Sequence, residues 1–86
     1  MNFKSKNYQK LNNELIERIK KVKEKEQKIQ EKFNFIIPDY VLNEIVETED
    51  NPDPDNINAL INLAIVNNRI NKRNAKILKK YFVFNI

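Results

Sequence analysis

Cysteine, histidine, glycine and tryptophan are all absent from this 86-residue chain. Without cysteine there is no disulfide framework. Without cysteine and histidine together, the usual zinc, haem and iron–sulfur sites are excluded, and so is thiol or imidazole catalysis. Without glycine there is no phosphate-cradling loop. Besides the three tyrosines, the hydroxyl side chains are Ser5 and Thr48. No general base sits near Ser5 in the sequence, and neither residue has the surroundings of an activated nucleophile. Long apolar runs are missing too. The longest, ALINLAIV over 59–66, is interrupted by Asn62 and is far too short to cross a bilayer. The opening MNFKSKNYQK lacks the apolar core of a signal peptide. These absences lead us to expect a cytoplasmic protein that is not an enzyme and uses no cofactor, no metal and no small-molecule substrate.

Asn, Lys and Ile dominate what is present. An AT-rich genome biases codons in that direction, so the expected source is a low-GC bacterium or one of its phages or plasmids. The length suits one domain, 1–86, just above the size at which a single core becomes too thin without staples. Net charge is +4, and it is unevenly spread. Residues 1–33 carry ten Lys/Arg and five Glu, residues 34–68 carry seven acids and no base, and residues 69–86 carry six bases and no acid. Such a pattern fits either self-complementarity within one fold or two faces for two partners.

Periodicity predicts four helices, at 5–32, 38–48, 54–67 and 72–83. In the first, Tyr8, Leu11, Leu15, Ile19, Val22, Ile29 and Phe33 form one stripe, broken by Glu26. From Lys20 to Lys32, nine of thirteen residues are charged. Glu14–Arg18, Glu17–Lys21 and Glu24–Lys28 have the favoured i, i+4 order, worth about 1 kcal/mol of local helix stability in all. A 28-residue helix spans about 42 Å, whereas a compact chain of this size is about 30 Å across. The first helix should therefore overhang its core. The expected arrangement is a three-helix core packed on the first half of helix one. The charged second half is then either a solvated end or an arm that binds a protein through Lys20, Val22, Lys23, Lys25, Glu26, Ile29 and Lys32. A parallel coiled coil is disfavoured, because Arg18, Lys25 and Lys32 would occupy its d positions.

In NFIIPDYVLNEIVETED, Pro38 suits the first position of helix two, and Val41, Leu42, Ile45 and Val46 make its buried face, with Glu44 and Glu47 outward. Phe35, Ile36 and Ile37 are expected to fill the corner before it. TEDNPDPDN reads as a loop that ends in an N-cap at Asp53, with Pro54 first in helix three. Asn51, Asp53 and Asp55 also alternate like the first ligands of a calcium loop. There, however, position six would be Asn56 rather than Gly, and position twelve Asn62 rather than Glu, so capping is the better reading. Helix three is apolar around most of its circumference through Ile57, Leu60, Ile61, Leu63, Ala64 and Val66. That predicts cover on several sides and hence a bundle.

In NNRINKRNAK (67–76), Asn67 or Asn68 should end helix three, and Asn71 should cap helix four. Ile70 and Ala75 have the spacing of a hydrophobic staple. Ala75, Leu78, Tyr81 and Phe82 form the expected inner face. The terminal FVFNI is expected to pack on the bundle or on a partner. Lys72, Arg73, Lys76, Lys79 and Lys80 form a basic outer face. It is either a solvated or protein-contacting surface or a phosphate-contacting one, since Leu63-Ala64 and the position of Asn68 also resemble a helix-turn-helix. Against DNA reading stand a turn one residue too long and the scarcity of base-reading side chains, Asn74 aside.

The order of elements resembles the small four-helix immunity proteins of pediocin-like bacteriocins. The likeness rests on Pro38-Asp39-Tyr40-Val41-Leu42 with Ile45, on Asp53-Pro54 and Leu60-Ile61-Asn62, and on Ile70-Asn71 with Leu78. It covers residues 8–82. The chain departs from that family in its C-terminal part, where such proteins carry an extension tied to bacteriocin discrimination. The resemblance implies an all-α four-helix bundle, with a long charged first helix on a three-helix core that ends in a hairpin, and a stoichiometric protective role. A protein partner is therefore the leading expectation, with nucleic acid through helix four as the alternative.

Overall fold

The computed structural model describes the backbone over residues 2–84 and side chains over 12–84. The side chains of Ser5, Tyr8 and Leu11, and the last two residues of FVFNI, lie outside the described residues. Four helices follow one another: α1 (Asn2–Gln30), α2 (Asp39–Glu47), α3 (Pro54–Val66) and α4 (Lys72–Phe82). The chain packs as a meander, α1 on α2, α2 on α3 and α3 on α4. It is an all-α, four-helix arrangement, with the long first helix against a three-helix core that ends in a hairpin.

The molecule measures 55 × 25 × 22 Å with a radius of gyration of 16.6 Å. The long axis follows from α1: 29 residues rise about 44 Å, whereas the nine residues of α2 span only about 14 Å. Helix α1 overhangs at the end opposite to the one its sequence suggested. Its C-terminal half meets the core, where Ile29 and Phe33 pack on the central cluster. Leu15, Ile16 and Ile19, near its middle, stay exposed. The cause lies in the connection. The chain turns back straight after α1, and the nine residues of α2 are too few to reach beyond the last turns of α1.

That turn is fastened by one side chain. Gln30 Nε2 donates to the Phe35 carbonyl at 2.6 Å, and Gln30 Oε1 accepts from the Ile37 N–H at 2.8 Å. Pro38 then stands one position earlier than the sequence suggested. With φ −56° and ψ 140° it precedes the first helical residue, Asp39, and its carbonyl accepts from Val41 and Leu42. A proline ring fixes φ without committing ψ, so it serves at either position. At the far end of α2, Thr48 Oγ1 donates to the Glu44 carbonyl at 2.7 Å.

Helix α3 starts as a capping sequence should: Asp53 Oδ1 accepts from the Asn56 N–H at 3.1 Å, with Pro54 leading the helix. It ends in a Schellman turn. Asn68 holds φ +57°, its N–H bonds the Ile65 carbonyl, and the Arg69 N–H bonds the Ala64 carbonyl. Asparagine here supplies the left-handed residue that glycine usually provides. Helix α4 begins at the Asn71 cap, whose Oδ1 accepts from the Asn74 N–H at 2.7 Å. Ile70 and Ala75, flanking that cap, are both buried in the core cluster, as a staple requires.

The core joins Ile37, Val41, Leu42 and Ile45 to Ile57, Ile61 and Ala64, and closes with Ile70, Ala75 and Leu78. Helix α3 is covered less completely than its apolar circumference suggested. Ile65, outside the apolar set expected from the sequence, is half-buried against the core, whereas Leu63 is exposed and Val66 is 76% exposed. Among the described residues α3 packs chiefly on α2 and α4, which leaves Leu63 and Val66 uncovered. Likewise Tyr81, expected on the inner face of α4, is more than half exposed, while Phe82 and Val83 take the inner positions.

Candidate binding surfaces

Two regions gather the exposed residues with binding potential. The first lies along α1. Leu15, Ile19 and Val22 continue the stripe that packs at Ile29 and Phe33, but α2 is too short to reach them. They line an open groove with Asn43 and Glu47 of α2 on its opposite wall. Leu15 is 56% and Ile19 48% exposed. Arg18, Lys21, Lys23 and Glu26 complete the lining. The groove is thus apolar along its floor and mainly basic along the α1 rim.

The α1 residues expected to form a docking arm separate into two sets here. Val22, Lys23 and Glu26 line the groove, and Lys20 is exposed beside it. Ile29 instead packs on the core and belongs to the fold. Lys25 pairs with Glu49 in the α2–α3 loop and thereby ties α1 to the acidic middle of the chain. That hydrogen bond and its charge hold the Lys25 pKa above the usual lysine value. Among the described residues it is the one close ion pair, so the Glu–Lys ladder along α1 acts at longer range than direct contact. Lys32 stands at the edge of a second groove, formed with Phe33, Phe35, Ile77 and Tyr81. The exposed Leu15 and Ile19, which line the groove, fall outside the arm expected from the sequence. Their signal was the continuity of the stripe, which alone does not tell which half α2 would cover.

The second region is α4. Lys72, Arg73, Lys76 and Lys80 are all exposed on its outward face. Lys79 is not free on that face: it is half-buried and donates to Asn62 Oδ1 at 2.6 Å, bridging α4 to α3. Asn74, the one base-reading candidate, is half-buried, with its backbone N–H bound by the Asn71 cap. Beside the cations run Ile77, Tyr81 and Phe84, all exposed. The Tyr81 ring packs edge-on against Phe33 at 5.2 Å between centroids, and Phe33 meets Phe35 at 5.5 Å. An aromatic seam therefore joins the α1–α2 corner to the last turn of α4.

Among the described residues, no three carboxylates gather closely enough to hold a metal ion, and no helix is long and apolar enough to cross a membrane. No protein-family model, no curated protein and no solved structure matches this chain.

Proposed function

We propose that this chain is a non-enzymatic protein-binding module, which works in the cytoplasm by occupying a partner stoichiometrically, as an immunity, inhibitor or regulatory protein does. One observation carries the reading: the apolar stripe of α1 continues past the end of α2, leaving Leu15 and Ile19, with Ile16 beside them, in water. Contiguous exposed apolar side chains with a polar rim are the usual mark of a surface that a partner covers. The rim contains Arg18, Lys21 and Lys23, so the complementary surface is an apolar helix face with acidic flanks. The resemblance to the four-helix immunity proteins supports the narrower, protective version of this role.

The test compares the intact chain with a Leu15→Ser, Ile19→Ser double variant. Both side chains are largely exposed, so thermal stability is expected to stay within about 0.5 kcal/mol of the parent. Capture of a nuclease-resistant partner from host lysate, lost in the double variant, supports the reading. Equal capture by both proteins refutes this surface.

A second reading, nucleic-acid binding through α4, has its own observation in the four exposed cations of that helix. It requires retardation of duplex DNA at low salt that is abolished when Lys72 and Lys76 become Glu, because phosphate attraction is strongest there.

A further inference from the structure

The outward face of α4 carries two parallel rows. At 3.6 residues per turn, Lys72, Arg73, Lys76 and Lys80 fall within a sector of about 100°, and Ile77 and Tyr81 fill the next sector. Phe84, 69% exposed, prolongs the apolar row just past the last turn. Ile36, at 83% the most exposed large apolar side chain among those described, lies off the other end. It lines an open groove with Asn71 and Asn74, and Phe35 is shared between that groove and the one beside Ile77 and Tyr81. The apolar row therefore extends from Ile36 past Tyr81 to Phe84. Cations run alongside it, and α4 contains no acid; Glu31 is the one carboxylate in the adjoining groove.

We propose that this face docks on the surface of an anionic lipid bilayer. The bilayer interface sets a plane of phosphate groups directly above an apolar layer, so one side-by-side arrangement of lysines and apolar side chains meets both at once. A DNA duplex would satisfy the lysines but leave Ile77, Phe84 and Ile36 against polar groove edges or water. The grooves along the row are open rather than closed pockets, which suits a continuous surface better than a single inserted anchor. Docking needs no helix that spans the membrane.

The experiment is flotation of the full chain with vesicles of phosphatidylcholine alone and of two parts phosphatidylcholine to one part phosphatidylglycerol, at low and at high salt. Association with the anionic vesicles only, weakened by salt, is expected. Lys76→Gln with Lys80→Gln should lower the partition coefficient by roughly 25-fold, at about fivefold for each cation. Ile77→Ser with Phe84→Ser should lower it as well, with circular dichroism confirming an intact fold. A Tyr81→Trp variant should show blue-shifted emission on binding. Leu15→Ser with Ile19→Ser should leave vesicle binding unchanged, which separates this surface from the α1 groove. The proposal is overturned by no association with anionic vesicles at low salt. It is equally overturned by association indifferent to the Ile77 and Phe84 changes, or by duplex DNA bound through the lysines in place of lipid.

Discussion

The side-chain amide of Gln30 spans the corner between α1 and α2, accepting from the Ile37 N–H while donating to the Phe35 carbonyl. One residue thus satisfies two backbone groups of a turn that no helix or sheet ladder serves. Ile37, at the end of this clamp, is almost completely buried, so its N–H has no route to water. Gln30→Ala should cost about 2 kcal/mol in urea unfolding, because it leaves a buried donor unmet. Gln30→Glu retains an acceptor for Ile37 but places a carboxylate against the Phe35 carbonyl. It should destabilise at neutral pH and recover part of the loss in acid, where a protonated carboxyl again donates.

Asn68 supplies a second test. Its left-handed backbone closes the Schellman turn, and glycine adopts that conformation with less strain. Asn68→Gly should be neutral or stabilising by a few tenths of a kcal/mol. Asn68→Val should cost about 2 kcal/mol, since a β-branched side chain clashes there. Thermal melts of the three proteins rank them; a valine variant as stable as the parent would contradict the assigned turn.

Tyr40 packs beside the core, and its hydroxyl is a buried group without a hydrogen-bond partner. Removing such an oxygen relieves a desolvation penalty rather than breaking a bond. Tyr40→Phe should therefore leave stability unchanged or raise it by up to about 1 kcal/mol. A clear loss would reveal a partner for the hydroxyl.

The Lys25–Glu49 pair gives a pH dependence of known sign. The folded state raises the lysine pKa above 10.5, so its contribution is complete below that value and disappears as pH climbs through the higher folded value. The stability difference between the parent and Lys25→Met should shrink to nothing in that alkaline range. Salt should shrink it at neutral pH as well, because both side chains face solvent. Melting curves from neutrality upward, recorded for both proteins, isolate the pair from other alkaline titrations.

Local chemistry was the most readable part of this sequence. The caps at Asp53 and Asn71 and the Ile70–Ala75 staple each depend on neighbours within a few residues and stand where their signatures placed them, and of the two asparagines open for the end of α3 it is Asn68 that turns left-handed. What depended on partners far along the chain was read less well. The stripe of α1 is richer in apolar residues before Val22 than after it, yet the later, more charged part is the one covered, because α2 folds back from the end of α1 and its nine residues reach no further. Leu63, Val66 and Ile65 follow the same rule, because exposure on α3 is set by where α2 and α4 lie rather than by hydrophobicity. Gln30 carried no legible signal at all: a polar residue in a charged helix end looks like any other until the corner it clamps is known. Within the candidate surfaces, charge was visible in the sequence. The division of α1 into groove-lining Val22 and core-packing Ile29 was not.

Because every helix packs chiefly on its neighbour in sequence, few contacts join distant parts of the chain. Such topologies fold fast, and they also open in stages. Helix α1 is held by the Gln30 clamp, the Lys25 pair and the Ile29–Phe33 contacts, all within its final turns. Losing them would release it while the α3–α4 hairpin kept its staple and both caps. Amide exchange should accordingly find α1 the first helix to exchange and Leu78 among the last residues to do so. A partner that grips α1 around Leu15 and Ile19 would have leverage on the rest of the molecule.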